Sequence, residues 1–204
     1  MNTAARTSTQ RSDQHEAALA TLRDLCRPLT GGDTVQPRCV VVQPNEIPHP
    51  IDAMLVHHEH MTDVLEKRYG GPVELHVLDE HLDGDIYTRK INLTSAAGGA
   101  VVEWGIVRLD LRFMPDAVHD EILARRTPLG AILIRHDVHR RVKPKWFLRF
   151  PGGGPLLRFF GDPSDAPMYG RIGTIYCNEE PAIDLLEIVT GAPPMAALEG
   201  EEKR

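Results

Sequence analysis

The stretch IYTRKINLTSAAGGAVVEWGIVRLDLRF, residues 86–113, decides how this chain is read. Residues 86–94 alternate in character and are rich in β-branched and aromatic side chains, so they predict a strand. SAAGG, 95–99, has the composition of a turn. Residues 100–113, dense in Val, Ile, Leu, Trp and Phe, predict a second, long strand. Two strands joined by a short Gly-containing turn read as an antiparallel hairpin.

Working outward, the same pattern recurs. Before the hairpin, Val73, Leu75 and Val77 alternate with Glu74 and His76, the signature of a half-buried strand. After it, WFLRF (146–150), 171–177 and 182–189 predict further strands, the last two separated by a turn at Asn178–Pro181. CVVVQ (39–43) reads as a short strand. Helical spacing appears in fewer places. Ser12 and Asp13 suit an N-cap, and Leu19, Leu22, Cys26 and Leu29 predict a helix near 13–27. Ile51, Met54, Leu55, His58, Met61 and Leu65 form one face of a single amphipathic helix, stopped by Gly70, Gly71 and Pro72. Pro115 and Asp116 open a helix running to about Arg126; TPLG, 127–130, reads as a turn leading to another strand. The expected architecture is α+β: a single antiparallel sheet with helices packed on one face. Residues 1–12 read as a disordered lead, 13–190 as one domain, and 191–204 as a disordered acidic tail.

Composition narrows the function. The 204 residues carry 23 basic and 29 acidic side chains, a net charge of −6. That balance argues against a general nucleic-acid binder, which needs a basic footprint. No apolar run is long enough for a membrane span, and the N-terminus lacks the apolar core of a secretory signal, so a cytoplasmic location without membrane insertion is expected; a monomer is expected as well. Cys26, Cys39 and Cys177 are far apart and form no CxxC, which suggests neither a disulfide framework nor a zinc knuckle. HHEH (57–60) and RHDVH (135–139) lack the HExxH spacing, and no metal is expected. PGGGP (151–155) lacks the GK[ST] end of a phosphate loop and reads as a hairpin or flap.

Two charged residues interrupt apolar strand faces. Arg89 shares its face with Tyr87, Ile91 and Leu93; Glu187 is flanked by Leu185 and Val189. A guanidinium keeps its charge and is costly to bury alone, so Arg89 requires an acidic partner or an anionic ligand. A lone carboxylate in an apolar strand has a raised pKa unless it is paired. Either the two form a structural ion pair or they face a ligand pocket. Arg108 is a third candidate; it shares a face with Trp104 and Ile106 but also with Asp110 and Arg112, which favours a paired or solvated role.

Several of these segments together resemble the chorismate pyruvate-lyase family. HMTDVLEKRYG (60–70) is similar to the family's early helix, YTRKINL (87–93) to its Arg-bearing strand, and TPLG (127–130) is the most literal match. YGR (169–171) followed by LLE (185–187) resembles its closing strand pair. The order and approximate spacing agree over roughly residues 50–190.

The resemblance implies a chorismate lyase-like fold and conversion of chorismate to 4-hydroxybenzoate and pyruvate without a cofactor, with a product expected to feed quinone biosynthesis. It implies that Arg89 holds the ring carboxylate and that Glu187 faces the opposite end of the ring as proton acceptor. Main-chain groups at Met61 and at Leu129, beside Gly130, would close over the carboxylate, and Arg108 is carried as a further substrate-binding candidate. A non-catalytic domain of the same fold that senses an aromatic acid is the alternative. The long 151–168 loop and the basic stretch RHDVHRRVKPKW depart from the family pattern.

Overall fold

A computed structural model describes residues 3–29, 38–96, 99–153, 160 and 166–189. Seven strands form one sheet: β1 (Val40–Val42), β2 (Val73–Asp83), β3 (Ile86–Ser95), β4 (Val101–Asp110), β5 (Arg140–Phe150), β6 (Met168–Cys177) and β7 (Glu180–Val189). Their spatial order is β1-β5-β6-β7-β4-β3-β2, and every neighbouring pair is antiparallel. Two hairpins use two-residue loops. Gly84, at φ 56°, opens the β2–β3 turn, and Asn178 and Glu179 both adopt positive φ between β6 and β7. Paired positive φ values match the right-handed twist of the flanking strands.

The expected antiparallel sheet is therefore present, and five helices cover it. α2 (Ile51–Leu55), α3 (Met61–Tyr69), α4 (Asp116–Leu123) and α5 (Leu129–Arg135) pack on one face. α1 (Thr3–Cys26) packs on the other through Ala18, Leu22, Leu25 and Cys26, against Trp104, Ile106, Leu186 and Ile188. Helices thus occupy both faces, in contrast to the one-sided layer expected, because β4, β6 and β7 are buried on both sides. The three cysteines are free and buried, and burial pushes each thiol up to about 11.

Four local readings change. α1 begins at Thr3 instead of residue 13, so 3–12 continue a helix where a disordered lead was expected; TAARTSTQRS contains no Gly or Pro to stop it. The single amphipathic helix over 51–69 is two helices broken at 56–60. β4 ends at Asp110, whose side chain accepts from the Arg112 N–H and turns Leu111–Phe113 into a 3-10 turn. Residues 129–135 are helical: Leu129 starts α5 and does not sit in a turn, and the following strand waits until Arg140. The expected flap 151–155 is described only to Gly153, and the 191–204 tail lies outside the described residues.

Candidate functional site

Cross-strand register fixes which side chains share the face beneath α2–α5. Arg89 pairs with Val107, Ile91 with Gly105, and Leu93 with Glu103. Gly105 and Val107 pair in turn with Glu187 and Leu185, and Glu187 with Arg171. Since side chains directly opposite one another point the same way, Arg89, Glu103, Glu187 and Arg171 all face the helices. A pocket opens there, about 440 Å³ counting its mouth. Its floor includes Arg89, Ile91, Leu93, Glu103 and Glu187; its roof includes His60, Met61, Leu129 and Gly130.

Arg89 is fully buried, and none of its three guanidinium nitrogens has a hydrogen-bond partner among the described residues. Burial pulls its pKa below the usual guanidinium value, against support from Tyr87 and Glu80. A guanidinium nevertheless stays charged in a protein, so this cation is desolvated and unpaired.

Glu187 is not its partner. The carboxylate accepts from Arg171 Nε at 2.5 Å. Arg171, 1% exposed, also donates to the carbonyls of Leu55, His57 and Glu59 at 3.2, 3.1 and 3.4 Å, and its Nη1 lies 3.2 Å from His57 Nδ1. These carbonyls would accept backbone N–H groups in a continuous helix. Their capture by Arg171 accounts for the break between α2 and α3, and it sets α3 so that Met61 starts a helix at the pocket mouth. The lone-carboxylate reading of Glu187 is thereby corrected, as is the alternative Arg89–Glu187 ion pair.

Glu103, which sequence reasoning missed, is 3% exposed, and its Oε2 has no hydrogen-bond partner among the described residues. Burial, reinforced by the Glu187 carboxylate and only partly opposed by Arg171, pushes its pKa well above the ordinary carboxyl range. Both effects favour its protonated, uncharged form. Gly105 makes room for it: a Cβ there would lie 3.2 Å from Glu103 Oε1 and 2.8 Å from the Leu186 carbonyl.

The roof comes from two helix starts in close contact. A Cβ on Gly130 would meet Thr62 Oγ1 at 3.1 Å and His60 Cβ at 3.2 Å. Neither α3 nor α5 has a side-chain N-cap hydrogen bond, and first-turn N–H groups have no intrahelical acceptor. Met61, Leu129 and Gly130 are therefore brought together opposite Arg89. His60 accepts from Arg140 Nε at 2.5 Å, and burial together with that cation lowers its pKa.

Arg108 is corrected. It lies on the opposite face, where it bonds Asp24 of α1 at 2.5 Å and Asp184 of β7 at 3.1 Å. It ties α1 to the sheet and does not reach the pocket. The histidine run is likewise engaged: His57 Nε2 bonds the Met54 carbonyl and His58 Nδ1 the Val142 carbonyl. Among the described residues no group of three or more His, Cys, Asp or Glu side chains could hold a metal, and no helix is long and apolar enough to cross a membrane.

No family model matches the sequence, and no curated protein matches it. Solved structures do. The chain is similar to PhnF from Mycobacterium smegmatis at a TM-score of 0.50 and 14% identity, covering 86% of this chain and 80% of that one. The effector domain of the same protein matches at 0.47 and 12% identity, covering 65% and 89%. A ligand-binding domain assigned to a GntR-family transcriptional regulator from Bordetella bronchiseptica matches at 0.44 and 12%, covering 58% and 86%. The fold is a chorismate lyase-like antiparallel sheet with helices.

Proposed function

We propose that this chain binds a small aromatic monocarboxylate, with Arg89 taking the carboxylate in a charge-assisted pair. The observation that carries this reading is the buried guanidinium that lines a pocket and has no hydrogen-bond partner among the described residues. A structural arginine at zero exposure has its donors satisfied, as Arg171 does; Arg89 is completed by a ligand from outside. N–H groups at the start of α3 and beside Gly130 add donors to the same carboxylate. Ile91 and Leu93 below and Met61 and Leu129 above flank the ring.

The charge inventory favours a monoanion and a binding role. Arg89 is the one arginine or lysine among the described pocket-lining residues; burial and the Arg140 cation disfavour a charged His60, and the nearby Arg171 is committed to Glu187 and the 55–59 carbonyls. Chorismate is a dianion, and its second carboxylate finds no free cation there. The lyase reading is second, favoured by the Glu187 carboxylate and neutral Glu103 at the end away from Arg89, which could move protons. In that reading a ring C–H proton goes to Glu187 as the ether carbon–oxygen bond breaks, the bonding pair leaves with enolpyruvate, which takes up a proton to become pyruvate, and the ring becomes aromatic. No cofactor enters either reading.

Calorimetric titration with 4-hydroxybenzoate, paired with a pyruvate-release assay on chorismate, separates them. Saturable binding with no pyruvate above the spontaneous background is expected. Equal release of pyruvate and 4-hydroxybenzoate would establish the lyase instead.

A further inference from the structure

The pocket also holds Glu103, whose buried Oε2 has no hydrogen-bond partner among the described residues, and the carboxylate-binding reading does not depend on it. Its side chain lies over the gap left by Gly105, between β3 and β7. Along β4 it stands four residues from Val107, the partner of Arg89, about 13 Å at ordinary strand rise. Arg89 and Glu103 thus stand toward opposite ends of the pocket floor. The groups near Glu103 on this face divide hydrogen-bonding roles. Glu187 is ion-paired with Arg171 and can only accept. Glu103, buried beside Glu187 with an unpartnered Oε2, favours its protonated form and so has a proton to donate. Leu93 and Leu75 at this end are apolar, and His60 lines the roof within electrostatic reach of Glu187 and Arg171.

We propose that Glu103 determines specificity by donating its carboxyl proton in a hydrogen bond to a neutral oxygen at the end of the ligand away from its carboxylate. Rather than deciding whether a carboxylate binds, which rests on Arg89 and on the function proposed above, Glu103 decides what the far end of the ring carries. A hydroxyl suits best: it accepts from Glu103 and donates to Glu187. An apolar substituent leaves both buried acids unpaired, and a second carboxylate meets no free cation. A pocket with buried polar groups discriminates strongly against an analogue that leaves them unsatisfied.

The experiment compares 4-hydroxybenzoate with 4-methylbenzoate, of nearly equal size, by calorimetric titration of the full chain. The proteins are wild type, Glu103→Gln and Glu103→Leu, with melting curves to check folding. Wild type is expected to prefer the hydroxyl at least about tenfold. Glu103→Gln, still a donor, is expected to keep most of the preference. Glu103→Leu is expected to reduce it to about threefold or less, because 4-methylbenzoate no longer strands a buried acid at that position. An unchanged preference in both variants, or no preference in wild type, overturns the role of Glu103 and leaves the Arg89 reading standing. Failure of wild type to bind either acid overturns both. If Glu103→Leu does not fold, loss of preference in Glu103→Gln would count against the proposal, since the amide still donates.

Discussion

Arg171 holds Glu187 at 2.5 Å and, with the same guanidinium, three carbonyls of the 55–59 segment, while Arg89, two strands from Glu187, has no hydrogen-bond partner on its guanidinium nitrogens among the described residues. Two buried arginines on one face therefore have opposite characters. Arg171 closes the structure and Arg89 leaves it open to a ligand, and their variants should behave in opposite ways.

Arg171→Met strands the Glu187 carboxylate and frees the 55–59 carbonyls. Breaking a buried pair by removing one partner costs about 3–5 kcal/mol. Denaturant unfolding should show a loss of that order, with the carboxylate pocket weakened because α3 is no longer anchored.

Arg89→Met should not destabilise the free protein. It removes an unpaired buried charge and substitutes an apolar chain of similar length, a change that is often neutral or stabilising. The denaturation midpoint without ligand is expected to equal or exceed that of wild type. A fall of several kcal/mol would mean that Arg89 has a structural partner.

The raised pKa of Glu103 has a defined sign in stability. Its folded pKa lies above the unfolded value of about 4.3, so the folded state holds the extra proton and stability falls as pH rises from there toward the folded pKa. Glu103→Gln cannot ionise. Its stability relative to wild type should grow with pH across that window in melting curves taken from pH 4 upward. Parallel curves would contradict a neutral Glu103.

Arg108→Ala supplies the control on the other face. The Arg108 pairs with Asp24 and Asp184 are part-exposed, and such pairs contribute about 1 kcal/mol or less. A small loss of stability with unchanged affinity for 4-hydroxybenzoate is expected. A large loss of affinity would place Arg108 in the binding machinery after all.

The sheet was legible because its strands end in turn chemistry and several alternate with period two. Arg89 and Glu187 were legible for the same reason, as charges on otherwise apolar faces. Glu103 was not: β4 is buried on both faces, so its alternation is blurred, and the Trp104–Ile106–Arg108 face drew attention to the wrong arginine. Arg171 stood at the first residue of a strand expected over 171–177. The strand in fact begins at Met168 and encloses it. The break at 56–60 is a long-range effect: an arginine more than a hundred residues away captures the carbonyls, and no local propensity encodes that. α5 was missed because AILI fits a short apolar strand as well as a buried helix face.

The central claim is that Arg89 is completed by a ligand carboxylate. Titration calorimetry of 4-hydroxybenzoate into wild type and Arg89→Met tests it most directly, with melting curves confirming that both are folded. The account predicts saturable one-to-one binding to wild type and at least about a hundredfold weaker binding to the variant, the scale of a lost charge-assisted pair. Equal affinity for the two proteins would contradict it.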